Sequence, residues 1–103
     1  MTLGRVAIAT NYSGNLDFMT PETSLLVDYD LIQVAKDAYI FAEGQVWADA
    51  SVDHAVQLMD RMLQDPAAAR DLGEKARRHI RTHFSARATG LRYAARLDTL
   101  AKA

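Results

Sequence analysis

Two short runs of aliphatic residues lie within the first thirty positions, and from Ser51 onward every apolar pattern has helical spacing. That order limits the folds open to the chain. The first run, Arg5-Val6-Ala7-Ile8-Ala9-Thr10, stops at the turn formers Asn11-Tyr12-Ser13-Gly14-Asn15. It reads as a strand buried on both faces and followed by a loop. The second, Ser24-Leu25-Leu26-Val27-Asp28-Tyr29, follows Thr20-Pro21-Glu22 and reads the same way. The thirteen residues between Thr10 and Ser24 are too many for a tight hairpin. They allow a loop and a short helical turn around Asp17 to Met19, so the two strands are expected to be parallel.

The stretch from Asp30 to Asp49 holds Leu31, Ile32, Val34, Tyr39, Ile40, Phe41, Val46 and Trp47 without a sustained period. It is expected to be an irregular connection, with Trp47 buried beneath it. Three helices should follow. Ser51 caps the first, whose apolar face is Ala55, Val56, Met59, Met62 and Leu63. Asp65 caps the second, with Pro66 at its first position, where a missing N–H costs nothing. That helix turns Ala69, Leu72, Ala76, Ile80 and Phe84 inward, and Gly73 weakens it by about 1 kcal/mol relative to alanine. Ser85 caps the third, with Leu91, Ala94 or Ala95, Leu97 and Leu100 inward.

The expected class is therefore α/β: a partial Rossmann-like unit, two short parallel strands followed by three helices. Two strands leave open edges and cannot cover three helices. Residues 1–103 thus read as one domain, and as the closing portion of a larger α/β domain whose earlier strands are missing.

Composition removes several functions. With no cysteine, the chain can hold neither a disulfide framework nor a thiolate metal site nor a cysteine nucleophile. A net charge of −1 excludes binding to nucleic acid by bulk charge. The charge is nevertheless divided. Residues 1–69 hold three basic and ten acidic residues, a balance of −7, and residues 70–103 hold nine basic and three acidic, a balance of +6. No signal peptide or membrane span is visible, and the cytoplasm is the expected location.

Ligands of open parallel sheets bind beyond the carboxyl ends of the strands. Thr10, Asn11, Ser13, Gly14 and Asn15 sit at such an end, with hydroxyl and amide groups suited to phosphate, ribose or sugar hydroxyls. A glycine at position 14 would permit close backbone approach and positive φ. A plain turn uses the same residues. Other constellations are weaker. His79 and His83 share a helix side as a metal pair would, but Ile80 stands where a metalloprotease needs glutamate, and no third ligand is evident. Asp53 and His54 point in different directions on a helix, and Met59 and Met62 read as packing. Arg70, Arg77, Arg78, Arg81, Arg87, Arg92 and Arg96 read as a solvated face. Without an RNA- or DNA-binding motif they do not suggest nucleic acid, and a membrane surface, though the better fit of the two, is not the expected partner.

One resemblance joins these segments. Leu3 through Asn15 resembles the "ALGKPVIAT…GGN" segment of nucleotide-sugar glycosyltransferases with the GT-B fold, of the group 1 (family 4) type. Asp17 matches an acidic residue after the family's glycine pair, and Ser24-Leu25-Leu26-Val27 resembles its "G-x-LV" strand. Trp47-Ala48-Asp49 resembles "W-A-x-P", and Leu63-Gln64-Asp65-Pro66 resembles "LL-x-DP". Leu72 through Arg77 resembles "LG-x-x-AR", and Phe84-Ser85 with Tyr93 through Leu97 resembles the closing "FS…Y…L". The order spans essentially the whole chain.

The resemblance implies the last portion of a C-terminal, donor-binding domain. The family's Glu-x7-Glu motif and its diphosphate-clamping basic residues would precede Met1. What remains is the loop holding Thr10, Asn11, Ser13, Gly14 and Asn15 as one wall of the donor cleft, with Ser13 where glycine is commoner. No catalytic residue, metal or cofactor is implied within these residues. The implied partners are a weakly held nucleotide sugar and the missing N-terminal part of the enzyme. The alternative is a non-catalytic oligomerisation or interaction domain with a basic helical face, in which open sheet edges would support a homodimer.

Overall fold

The computed structural model describes residues 1–102. It shows an α/β chain. Strands β1 (Ile8–Thr10) and β2 (Leu25–Val27) pair in parallel, with Ile8 opposite Leu25 and Thr10 opposite Val27. The ladder continues at both ends, where the Leu25 N–H donates to the Ala7 carbonyl (3.0 Å) and the Asn11 N–H to the Val27 carbonyl (2.8 Å). The crossover carries a 3-10 helix over Ser13–Asp17, a little before the expected turn. A threonine-rich turn then closes on itself: the Ser24 hydroxyl, 2% exposed, donates to the Thr20 carbonyl at 2.7 Å.

Residues 30–49 depart from expectation. They are no irregular connection but most of an antiparallel hairpin, β3 (Tyr29–Gln33) with β4 (Val46–Ala50), in which Ile32 faces Trp47. Only Asp28 separates β2 from β3, so one extended segment serves two sheets. Trp47 is not buried; it is 46% exposed. A period-2 ribbon with both faces near solvent gives each side chain little cover, which is why the hydrophobic pattern did not announce it.

Three helices complete the chain: α1 (Val52–Gln64), α2 (Pro66–His83) and α3 (Ala86–Ala101). Each begins at a side-chain cap. Ser51 accepts from the His54 N–H (3.2 Å) and Ser85 from the Ala88 N–H (3.2 Å). Asp65 accepts from both Ala67 (3.1 Å) and Ala68 (2.9 Å), with Pro66 following. These bonds satisfy amides that a helix leaves without internal partners.

The core is small. Leu25, Val27 and Leu58 form its centre, flanked by Val6, Ile8, Ala55, Met62 and Leu72. The α1 face differs from the expected one by a fraction of a turn. Ala55, Leu58 and Met62, at i, i+3 and i+7, face β2, whereas Val56, Met59 and Leu63 are exposed. On α2, Ala76 is fully covered and Gly73 is buried. Helix α3 buries nothing, and Leu91, Leu97 and Leu100, expected inward, stand in solvent. The radius of gyration is 18.0 Å, against roughly 13 Å for a compact chain of this length. No helix among the described residues is long and apolar enough to cross a membrane.

Candidate functional site

A depression of about 420 Å³ opens at the carboxyl end of β1. Ala9, Thr10, Tyr12 and Asn15 form one wall, and Trp47 and Ala48 of β4 form the other. The first wall exists because β1 ends at Thr10 and the chain must turn away from the sheet. Asn15 closes that turn: its Nδ2 donates to the Thr10 carbonyl at 3.0 Å and lies 3.7 Å from the Met19 sulfur. The amide nitrogen is therefore committed to the loop, and Asn15 can offer a ligand its Oδ1. The Tyr12 ring rests against Tyr29, centroids 5.0 Å apart and planes tilted by 58°, an arrangement aromatic pairs favour.

Of the five residues proposed from sequence, Thr10 and Asn15 line this depression. Asn11 is exposed beside it, its backbone N–H held by Val27. Ser13 and Gly14 are exposed on the 3-10 helix and outside the lining. The conformational demand at this turn also falls one residue earlier than expected. Ser13, not Gly14, adopts positive φ (68°), a region where a side chain costs about 1–2 kcal/mol. Ser13 thus holds a backbone conformation that favours glycine.

The opposite wall was missed. Trp47, Ala48 and their pairing partners Ile32 and Leu31 meet across a twelve-residue hairpin loop. The available signal was slight: Val46-Trp47-Ala48-Asp49-Ala50 opens on a β-branched and an aromatic residue but holds one polar residue among four apolar ones, so it has no strand period. No Asn-Gly or Asp-Gly pair marks the loop as a hairpin turn.

Chemically the depression combines two aromatic rings with a hydroxyl and an amide, and no charged residue lines it. It suits a ring bearing hydroxyl or carbonyl groups and lacks the cations that neutralise a diphosphate. Glu22 is the carboxylate held below its ordinary range, by the Thr20 side chain and then by its own backbone N–H. It lies on the exposed turn, outside the depression. A second depression, about 360 Å³, lies near the amino end of β1 between Gly4, Arg5 and the α1–α2 junction. Parallel sheets do not place ligands at that end.

The remaining candidates lie outside this depression. His79 and His83 lie with ring centroids 5.1 Å apart inside an aromatic cluster at the α2–α3 junction. Phe84 sits 5.6 Å from His79 and 6.3 Å from Phe18, and the Arg92 guanidinium covers its ring at 5.3 Å. No group of three metal-ligating side chains occurs among the described residues. His54 pairs with Asp28 rather than Asp53: its Nδ1 accepts the Asp28 N–H at 3.0 Å and lies 3.0 Å from the Asp28 carboxylate. That contact ties the start of α1 to the β2–β3 junction. Comparison with protein-family models, curated proteins and solved structures gives no match.

Proposed function

We propose that the chain is the donor-side, C-terminal part of a nucleotide-sugar-dependent glycosyltransferase of the GT-B type, and that its parallel pair belongs to a Rossmann-like sheet. One observation carries the reading. The segment resembling the family's glycine-pair loop sits at the carboxyl end of a parallel strand, and Thr10 and Asn15 from it line a depression of about 420 Å³. The same loop adds that Ser13, which departs from the family's commoner glycine, keeps a positive φ.

On this reading the complete enzyme moves a glycosyl group from a nucleotide sugar to an acceptor. The loop and Trp47 contact the ribose or base, or the sugar ring, and fix its orientation. Orientation alone does not break the glycosidic bond. The departing diphosphate needs positive charge or hydrogen-bond donors, and the acceptor needs its own site. The depression supplies neither, so this chain is expected to bind donor weakly and to transfer nothing alone.

Isothermal calorimetry against a panel of nucleotide sugars tests the proposal. The expected dissociation constant is about 1 mM or weaker, near −4 kcal/mol. Binding at about 1 μM would mean a complete site and would overturn the fragment reading. No response from any donor at about 10 mM would remove the donor wall itself.

A further inference from the structure

The surface that most lacks a partner is the tip of the β3–β4 hairpin. Tyr39, Ile40 and Phe41 stand consecutively at its turn, and Ile40 and Phe41 are 79% and 88% exposed. The tip is built rather than frayed. Backbone bonds run from the Ala38 N–H to Ala35, from Ala42 to Tyr39 and from Gln45 to Ala42, and the Lys36–Glu43 ion pair spans its base at 2.9 Å. Phe41 has φ 64°. A bulky residue in the left-handed region is a genuine outlier, and such residues concentrate at ligand clamps and switch regions. Nothing among the described residues covers the side chain it presents.

Charge indicates what does. Residues 29–50 carry four acidic residues and one basic, a balance of −3. An anionic membrane or nucleic acid would be repelled by this ribbon. Its complement is apolar and basic, and the chain itself carries one. Residues 70–102 have a balance of +6. On α3, Tyr93, Leu97 and Leu100 form an exposed stripe at i, i+4 and i+7, with Arg92 and Arg96 beside it. The accessible surface is 7710 Å² for 11.4 kDa, against about 5,800 Å² for a compact monomer of that mass. The chain therefore leaves about 1,900 Å² more surface open than a compact monomer does, enough to take up a partner.

We infer that this hairpin docks on a second copy of the chain, its Tyr39–Phe41 tip against the partner's α3 stripe and its carboxylates against the partner's arginines. Performed reciprocally, the contact closes on a two-fold axis and stops at the dimer. It uses neither wall of the donor depression through the tip, so it stands or falls separately from the proposed activity.

Sedimentation velocity of the 103-residue chain at about 50 μM tests it. The expected species has twice the monomer mass of 11.4 kDa in 0.1 M NaCl, with partial dissociation in 0.5 M NaCl. The double variant Ile40→Asp/Phe41→Asp should sediment as a folded monomer with an unchanged circular dichroism spectrum. Asp37→Lys/Glu43→Lys should also be monomeric, and so should Arg92→Glu/Arg96→Glu. Mixing these last two should restore the dimer, which loss of folding could not do. A monomeric wild type would overturn the inference, as would a dimer or aggregate that persists in the tip variant. So would a monomer that uses Ile40 and Phe41 to bind neutral phosphatidylcholine vesicles.

Discussion

Replacing Gly73 by alanine sets two effects of opposite sign against each other. Within a helix alanine is favoured over glycine by about 1 kcal/mol. If Gly73 merely weakened α2, the substitution would stabilise the protein by that amount. The structure places the backbone of Gly4 directly over it. A Cβ on residue 73 would collide with the Gly4 carbonyl oxygen and lie 2.8 Å from the Gly4 carbonyl carbon. Both obstacles are backbone, so no rotamer change relieves them. Overpacking of this kind costs about 1–3 kcal/mol or more, and the segment it displaces leads straight into Val6 and Ile8 at the core. The expected net effect is a loss of up to about 2 kcal/mol, at about 4–8 °C in Tm per kcal/mol for a chain of this size. Urea unfolding followed by circular dichroism at the helical band measures it. Gly90→Ala is the matched control, since nothing lies within 4 Å of a Cβ built there; it should stabilise by up to about 1 kcal/mol. If both alanines stabilise equally, the close approach of Gly4 to α2 is wrong.

Other substitutions probe the rest of the frame. Leu58→Ala removes the helical member of the core triad and should cost about 2–5 kcal/mol, read from the shift in urea midpoint. Asp65→Ala deprives two α2 amides of their acceptor and should cost about 1 kcal/mol in the same assay. At the site loop, Ser13→Gly should leave stability unchanged or raise it by about 1 kcal/mol, because it relieves positive φ. Gly14→Ala should be neutral or mildly stabilising, as its Cβ meets nothing within 4 Å. A thermal melt in which Gly14→Ala is the damaging member of that pair would contradict the assigned turn.

What could be read from residues alone follows from how local each signal is. Ser51, Asp65-Pro66 and Ser85 mark helix starts by chemistry contained within four residues, and all three caps form. The parallel pair was legible because a thirteen-residue gap excludes a tight turn and both strands are aliphatic. The hairpin was not, since β3 and β4 meet only across a loop without turn-specifying residues. Leu58 was overlooked for a related reason. Val56, Met59 and Leu63 are as apolar as the true core face, and only the position of β2 decides which stripe is covered. The same ambiguity hid one wall of the depression. Thr10 and Asn15 announced themselves as loop residues after a strand, whereas Trp47 acquires its place through a pairing the local pattern does not fix. Ser13 is the reverse case: its sequence neighbour is a glycine, yet the left-handed backbone falls on the serine.

The decisive measurement is a residue-resolved map of donor binding. Backbone amide shifts of the isotope-labelled chain, titrated with nucleotide sugars, should move at Thr10, Tyr12, Asn15, Trp47 and Ala48 and grow without saturating up to about 1 mM. Shifts centred on Gly4, Arg5 and the α1–α2 junction, or on the arginines of α2 and α3, would contradict a donor wall at the carboxyl end of β1.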